Sequence, residues 1–108
     1  MIISAFLVLS AFQTLAQAKI SGTVKDQATQ QGIEFVSIAV YTAQDSTLAG
    51  GNITDLEGNF LVEGLAPGTY YIQVSFLGYQ TQTILNLTLV RNEQRQLEPI
   101  FLVSDFQN

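Results

Sequence analysis

The chain has 108 residues, with nine Asp and Glu against four Lys and Arg, and it contains neither His nor Cys. That length suits one domain, and the missing side chains remove the usual zinc and iron ligands and any disulfide. Lys19, Lys25, Arg91 and Arg95 are scattered and form no stripe that neutralises phosphates, which argues against nucleic acid as a partner; the acidic excess favours solubility.

Ile2 to Phe12 is an apolar run broken only by Ser4 and Ser10, and Ala16-Gln17-Ala18 follows as a small-x-small cleavage pattern. A spanning helix needs roughly 20 apolar residues, so the run reads as the core of a helical signal peptide over residues 1–18. No Lys or Arg precedes it, so the charged start is missing or is supplied by the terminal amine. A buried N-terminal helix is the competing reading.

Beyond this segment the apolar residues alternate. Ile20 to Lys25 places Ile20, Gly22 and Val24 on one side and predicts a first strand. Asp26 to Gly32 is a polar loop. Phe35 to Thr42 predicts a second strand with Val36, Ile38 and Val40 inward. Gln44 to Thr47 is a turn, and Leu48 to Thr54 a third strand with a bulge or close backbone approach at Gly50-Gly51.

Asp55 to Gly58 predicts a tight hairpin, with the Asp carboxylate accepting downstream N–H groups and Gly58 at positive φ. Phe60 and Val62 then point inward. Pro67-Gly68 suits a type II turn. Thr69 to Leu77 predicts a long strand in which Tyr70, Ile72, Val74 and Phe76 face the core while Tyr71, Gln73, Ser75 and Leu77 face out. Gly78-Tyr79 ends it. Gln80 to Val90 is a further strand, Arg91 to Gln96 a polar connection, and Leu97 to Val103 a seventh strand that Pro99 confines to a sheet edge. The expected fold is an all-β antiparallel sandwich of about seven strands with Greek-key connections. Its core is Ile20, Val24, Val36, Ile38, Val40, Phe60, Val62, Leu65, Tyr70, Ile72, Val74 and Phe76.

Five segments carry a resemblance in their order and spacing: Ile20-Ser21-Gly22-Thr23-Val24, the Phe35–Val40 strand, Thr54 to Phe60, Leu65-Ala66-Pro67-Gly68-Thr69-Tyr70, and Phe76-Leu77-Gly78-Tyr79. Together they resemble the carboxypeptidase regulatory-like domain, a transthyretin-like β-sandwich. The resemblance implies a domain over residues 19–104, with 105–108 as a tail or linker. In bacteria such domains often follow the signal peptide of outer-membrane β-barrel proteins, including TonB-dependent receptors. It therefore implies a non-catalytic accessory domain on the periplasmic side of the outer membrane. The domain contacts the plug or barrel of a parent receptor, or another periplasmic protein, and meets the membrane only through that parent. Transport is not assigned to this polypeptide, which is expected to be a fragment of a longer protein or a free-standing module.

Candidate sites are few. Tyr71, on the outward parity, and Tyr79, after Gly78, are the candidate contacts for a partner protein or for a glycan or peptide in an independent binding module. Asp55, Gly58, Pro67, Gly68 and Gly78 are structural turn residues. Asp55, Glu57 and Asn59 lack the ligand spacing of a calcium loop. Asn52-Ile53-Thr54 and Asn86-Leu87-Thr88 match the glycosylation pattern but read better as strand residues. Glu34 and Glu63 have no partner for acid–base work. Zinc peptidase chemistry and the histidine-dependent transthyretin-like hydrolases both need residues this chain lacks, so neither enzyme activity nor a cofactor is expected.

Overall fold

The computed structural model describes residues 17–105; the predicted signal peptide falls almost wholly outside them. Eight strands form: β1 (Ala18–Asp26), β2 (Ser37–Thr42), β3 (Leu48–Ile53), β4 (Asn59–Leu65), β5 (Gly68–Ser75), β6 (Gln82–Leu89), β7 (Gln94–Gln96) and β8 (Ile100–Leu102). One sheet runs β4-β1-β7, with β8 also on β1, and the other runs β3-β2-β5-β6. The chain changes sheet after β1, β3, β4 and β6. Such crossings make a sandwich.

Alternation explains the interior. Ile20 and Val24, Val36, Ile38 and Val40, Phe60, Val62 and Leu65, and Tyr70, Ile72 and Val74 are buried between the sheets, as the period-two pattern requires. Ala18, Leu87, Leu89, Ile100 and Leu102 complete the core. Phe76 departs from expectation. The strand stops at Ser75, and Phe76 packs half-buried against the core at the start of a turn closed by Tyr79 N–H on Phe76 O at 3.1 Å. Leu77 stands in water at 95% exposure.

Four further expectations are corrected. The two strands joined by Asp55–Gly58 lie in different sheets, so the turn is a corner rather than a hairpin. Its local chemistry matches the sequence reading: Asp55 Oδ1 accepts the N–H groups of Glu57 (3.0 Å) and Asn59 (2.9 Å), and Gly58 has φ +86°. Gly68 has φ +159° and opens β5, so Pro67-Gly68 is no type II turn, which needs φ near +80° there. The segment crosses between sheets instead of reversing within one. There Tyr70 Oη donates to Ala66 O at 2.5 Å, tying the crossing to the new strand.

The last ribbon is also different. Both β7 and β8 pair with β1 in parallel, because the chain crosses from β6 and runs beside β1 in the same direction. Pro99 lies in the gap that divides them, so the predicted single strand is two, and β7 occupies the predicted polar connection. Finally, Phe35 lies outside β2, exposed and at φ +69°, a strained conformation for an aromatic residue. In β3 the bulge falls at Ala49, between the pairs Val40↔Gly50 and Tyr41↔Leu48, while Gly51 makes the expected close backbone approach, a Cβ there lying 2.7 Å from Ile38 O.

Thr54 is the buried polar residue of the core among those described. Its Oγ1 donates to Ile33 O at 2.6 Å and accepts the Val36 N–H at 2.9 Å. Thr54→Val keeps the volume and leaves both groups unpaired, so urea unfolding should show a loss of about 1–3 kcal/mol. Thr54→Ser should lose only about 1 kcal/mol for the missing methyl. A Val variant as stable as wild type, with only the Ser variant losing stability, would place the effect in packing alone.

Candidate functional site

The two candidate tyrosines occupy different environments. Tyr71 lies on the outer face of the β3-β2-β5-β6 sheet. Register sets Tyr71 opposite Tyr41 of β2, and the rings stack at 5.2 Å between centroids, 21° apart. Tyr71 Oη donates to Ser46 Oγ at 2.9 Å, which fixes the ring against the β2–β3 turn. The sequence marks Tyr41 as outward by its parity with Ser37 and Ala39, but only the β2–β5 pairing brings it to Tyr71.

Tyr79 sits elsewhere. It packs against the core, tilted on Phe76 at 6.0 Å, and its Oη donates to Asp26 Oδ2 at 2.6 Å. Its backbone bridges to Ser104. The residue closes the end of the sandwich, far along the chain from Asp26 but joined to the loop that leaves β1. Asp26 is itself organised, accepting the Ala28 and Thr29 N–H groups on Oδ1 at 2.8 and 3.0 Å. The remaining turn residue, Gly78, has φ +90° and accepts the Asp105 N–H at 2.8 Å. The structure therefore does not join Tyr71 and Tyr79 in one platform.

Around Tyr71 the cross-strand pairs define a surface. Leu48, Tyr41, Tyr71 and Leu85 form one apolar row across all four strands, with Leu85 in the β6 bulge opposite Tyr71. Both leucines are more than 60% exposed. The same face carries Ser37, Gln73, Ser75, Thr69, Thr83 and Thr88, with the exposed Ile53 of β3 opposite Ser37, and no charged residue. Asp45 stands at its rim in the β2–β3 turn, where hydrogen bonds from Thr42 and then Thr47 hold its carboxyl below the ordinary range. The outer face of the other sheet differs: Lys19, Lys25 and Glu63 lie there, with Lys19 Nζ 3.6 Å from Glu63.

The open edges of the two sheets are joined at each flank by one polar side chain. Asn52 donates Nδ2 to Leu61 O at 2.8 Å, linking β3 to β4, while its Oδ1 accepts the Ile53 N–H at 2.9 Å. At the other flank Arg95 of β7 reaches Thr88 O of β6 at 2.8 Å and pairs with Glu93 at 2.6 Å. The Val90 N–H, followed by Arg95, lowers the Glu93 carboxyl below its usual range. The exposed Ile53 and Leu61 line a depression beside Asn52; Leu56, in the turn that follows, and Phe35, whose N–H bonds Thr54 O at 3.1 Å, are exposed as well. Among the described residues no three His, Cys, Asp or Glu gather as a metal site.

The Tyr79 bond, the largest cause, and the loop N–H groups hold the Asp26 carboxyl below its ordinary 3.8. Accepting that bond, Asp26 raises the Tyr79 hydroxyl above its ordinary 10.0. A depressed carboxyl stabilises the fold above its unfolded pKa and loses that contribution as pH falls through the folded value. The raised phenol contributes below its unfolded pKa and loses that as pH rises through the folded one. Tyr79→Phe should therefore lower the urea midpoint at neutral pH, and its deficit should shrink in acid well below the ordinary Asp value. A deficit constant with pH would show that ring packing alone is at work.

Comparison with known proteins adds the family. Residues 19–101 match the carboxypeptidase regulatory-like domain. No curated protein sequence matches the chain. Among solved structures, the Bacillus anthracis TIE protein aligns with a TM-score of 0.67 at 16% identity, over 82% of this chain and 18% of that one. A type II cohesin–X-dockerin complex from Acetivibrio cellulolyticus aligns with a TM-score of 0.61 at 17% identity, over 81% of this chain and 58% of that one. Hydroxyquinol 1,2-dioxygenase from Pseudomonas putida gives 0.60 at 10% identity, over 83% and 57%. These identities speak for a shared fold alone, and the chain spans less than two thirds of each of these structures. With the family match running from β1 into β8, the chain belongs to the carboxypeptidase regulatory-like domain family.

Proposed function

We propose that the chain is a non-catalytic accessory domain on the periplasmic side of the bacterial outer membrane, making structural and partner contacts for a TonB-dependent receptor-like protein. The observation that carries this reading is order along the chain: an apolar segment with a signal-type cleavage pattern leads directly into the family's domain. A sequence without His or Cys fits a role in contact rather than catalysis. The partner surface is the flank where β3 and β4 leave their sheets open, with Ile53, Leu56, Leu61 and Phe35 exposed beside unpaired strand edges. The cohesin–dockerin complex, a sandwich of similar fold within a protein assembly, supports this kind of use.

A second reading, an independent module for a glycan or peptide, draws on one feature. A depression of ≈ 570 Å³ lies between the β2–β3 turn and the β4–β5 crossing, lined by uncharged groups including Thr42, Gln44, Pro67 and Thr69. Saturable calorimetric binding of a glycan or peptide, abolished by Thr69→Trp, would favour it.

The accessory-domain reading predicts that the tagged chain, expressed in a Gram-negative host, is recovered from the periplasm with its N-terminus at Lys19. A photocrosslinker replacing Ile53 should give an adduct with an outer-membrane β-barrel protein or another envelope protein. Cytoplasmic recovery with Met1 retained, or no envelope adduct, would overturn it.

A further inference from the structure

We propose that the outer face of the β3-β2-β5-β6 sheet is a self-association surface that pairs two copies of this chain. The face is built from an apolar row, the exposed Leu48 and Leu85 flanking the half-buried Tyr41 and Tyr71, bordered by serine, threonine and glutamine side chains and by Ile53 at one edge. An apolar centre, a neutral polar border and depletion of charge are the composition of a surface that loses its water on docking. Burying an unpaired charge costs several kcal/mol, so a sheet face free of Lys, Arg, Asp and Glu gives up its solvent at low cost.

Charge identifies the occupant as a second copy. The chain carries a net charge of −5. All nine acidic and four basic residues lie off this face, on the opposite sheet, in the loops or at the rim. Two such chains repel each other in most orientations, and this face is the broad surface through which they meet without setting like charges together. The hydroxyl and amide groups both donate and accept, so the surface is complementary to itself, as a two-fold interface requires. A two-fold axis lying in the interface brings row onto row. The rings are already stacked on each other, and Tyr71 is held by Ser46, so little side-chain freedom is lost on pairing. The proposal does not rest on the receptor reading; the two surfaces meet at Ile53, which pairs with Ser37 at one edge of this face and also borders the β3–β4 flank.

Sedimentation equilibrium of the purified chain tests it. The mass should rise from one copy to two with concentration, and added salt should not weaken the pairing, because screening removes only repulsion. Gln73, exposed near the centre of the face, takes a charge without disturbing the core. Gln73→Glu should weaken pairing by at least about 100-fold, the scale of juxtaposed like charges, and Gln73→Lys should do the same. An equimolar mixture of the two should restore the pair. Thr83→Glu, also exposed and on the same face, serves as an independent second variant, and Gln96→Ser, exposed on the opposite sheet, should pair as wild type. Circular dichroism melting confirms that each variant folds. A one-copy mass at every concentration would overturn the proposal. So would unchanged pairing of both charged variants, or a mixture that fails to pair. A monomer that instead binds a soluble neutral glycan through Tyr71 would also overturn it and reassign the face.

Discussion

Thr54 occupies the point on which the two layers depend. The chain must leave one sheet after β3 and enter the other at β4, and at such a corner backbone groups lose their strand partners. One hydroxyl answers for two of them, donating to Ile33 O and accepting from Val36 N–H. The residue's own backbone pairs with Val36 O and the Phe35 N–H, both at 3.1 Å. Entry to β2 and exit from β3 are thus tied together at one buried point. The corner continues through Asp55 and Gly58, whose carbonyl accepts the Val24 N–H at 2.8 Å. A Cβ at position 58 would lie 2.3 Å from Val24 O, so the approach to β1 admits glycine alone. The positions of Ile20, Val24, Phe60 and Val62 opposite Ile38, Ile72 and Val74 follow from that corner.

A sandwich leaves four strand edges, and this one handles them in distinct ways. The β6 edge is kinked by a bulge in which Asn86 takes φ +60°. The β7–β8 edge is interrupted around Pro99. Asn52 covers part of the β3 and β4 edges by bonding the backbone of each. Edge pairing is thereby restricted, and the surfaces left for contact are the apolar flank beside Asn52 and the uncharged tyrosine face. The two differ in character: the flank offers strand edges and isolated apolar side chains, the face a continuous neutral surface. A domain with two such surfaces suits a role in assembly better than one in chemistry.

Much of this was legible because period-two alternation is a local property. Ile72 and Val74 could be placed inside from their neighbours alone, and eleven of the twelve expected core residues are buried. Phe76 fails the rule because alternation says nothing of where a strand ends; Gly78 at φ +90° already turns the chain, and Phe76 closes that turn. Phe35 fails for a related reason, since its N–H bonds across to Thr54 and the strand begins two residues later. Pro67-Gly68 carries a turn signature, yet the two flanking strands belong to different sheets, and a sheet change needs another backbone path. The candidate contact residues divide in the same way. Tyr71 was correctly placed outward by parity, whereas Tyr79 is held by Asp26, 53 positions away, a partner no local pattern announces.

From the amino-acid order alone come an all-β class, the inward and outward sets on each long strand, the local turn chemistry of Asp55–Gly58 and the lack of His and Cys for zinc, iron or thiol work. These depend on neighbours within a few positions, where covalent geometry and turn preferences dominate. Tertiary structure decided which strands adjoin. That choice set β7 and β8 parallel to β1, put Tyr41 on Tyr71 and Tyr79 on Asp26, and gathered every charge away from one sheet face. Strand adjacency is settled by how two apolar layers close on each other, and that energy is shared among residues far apart in the chain.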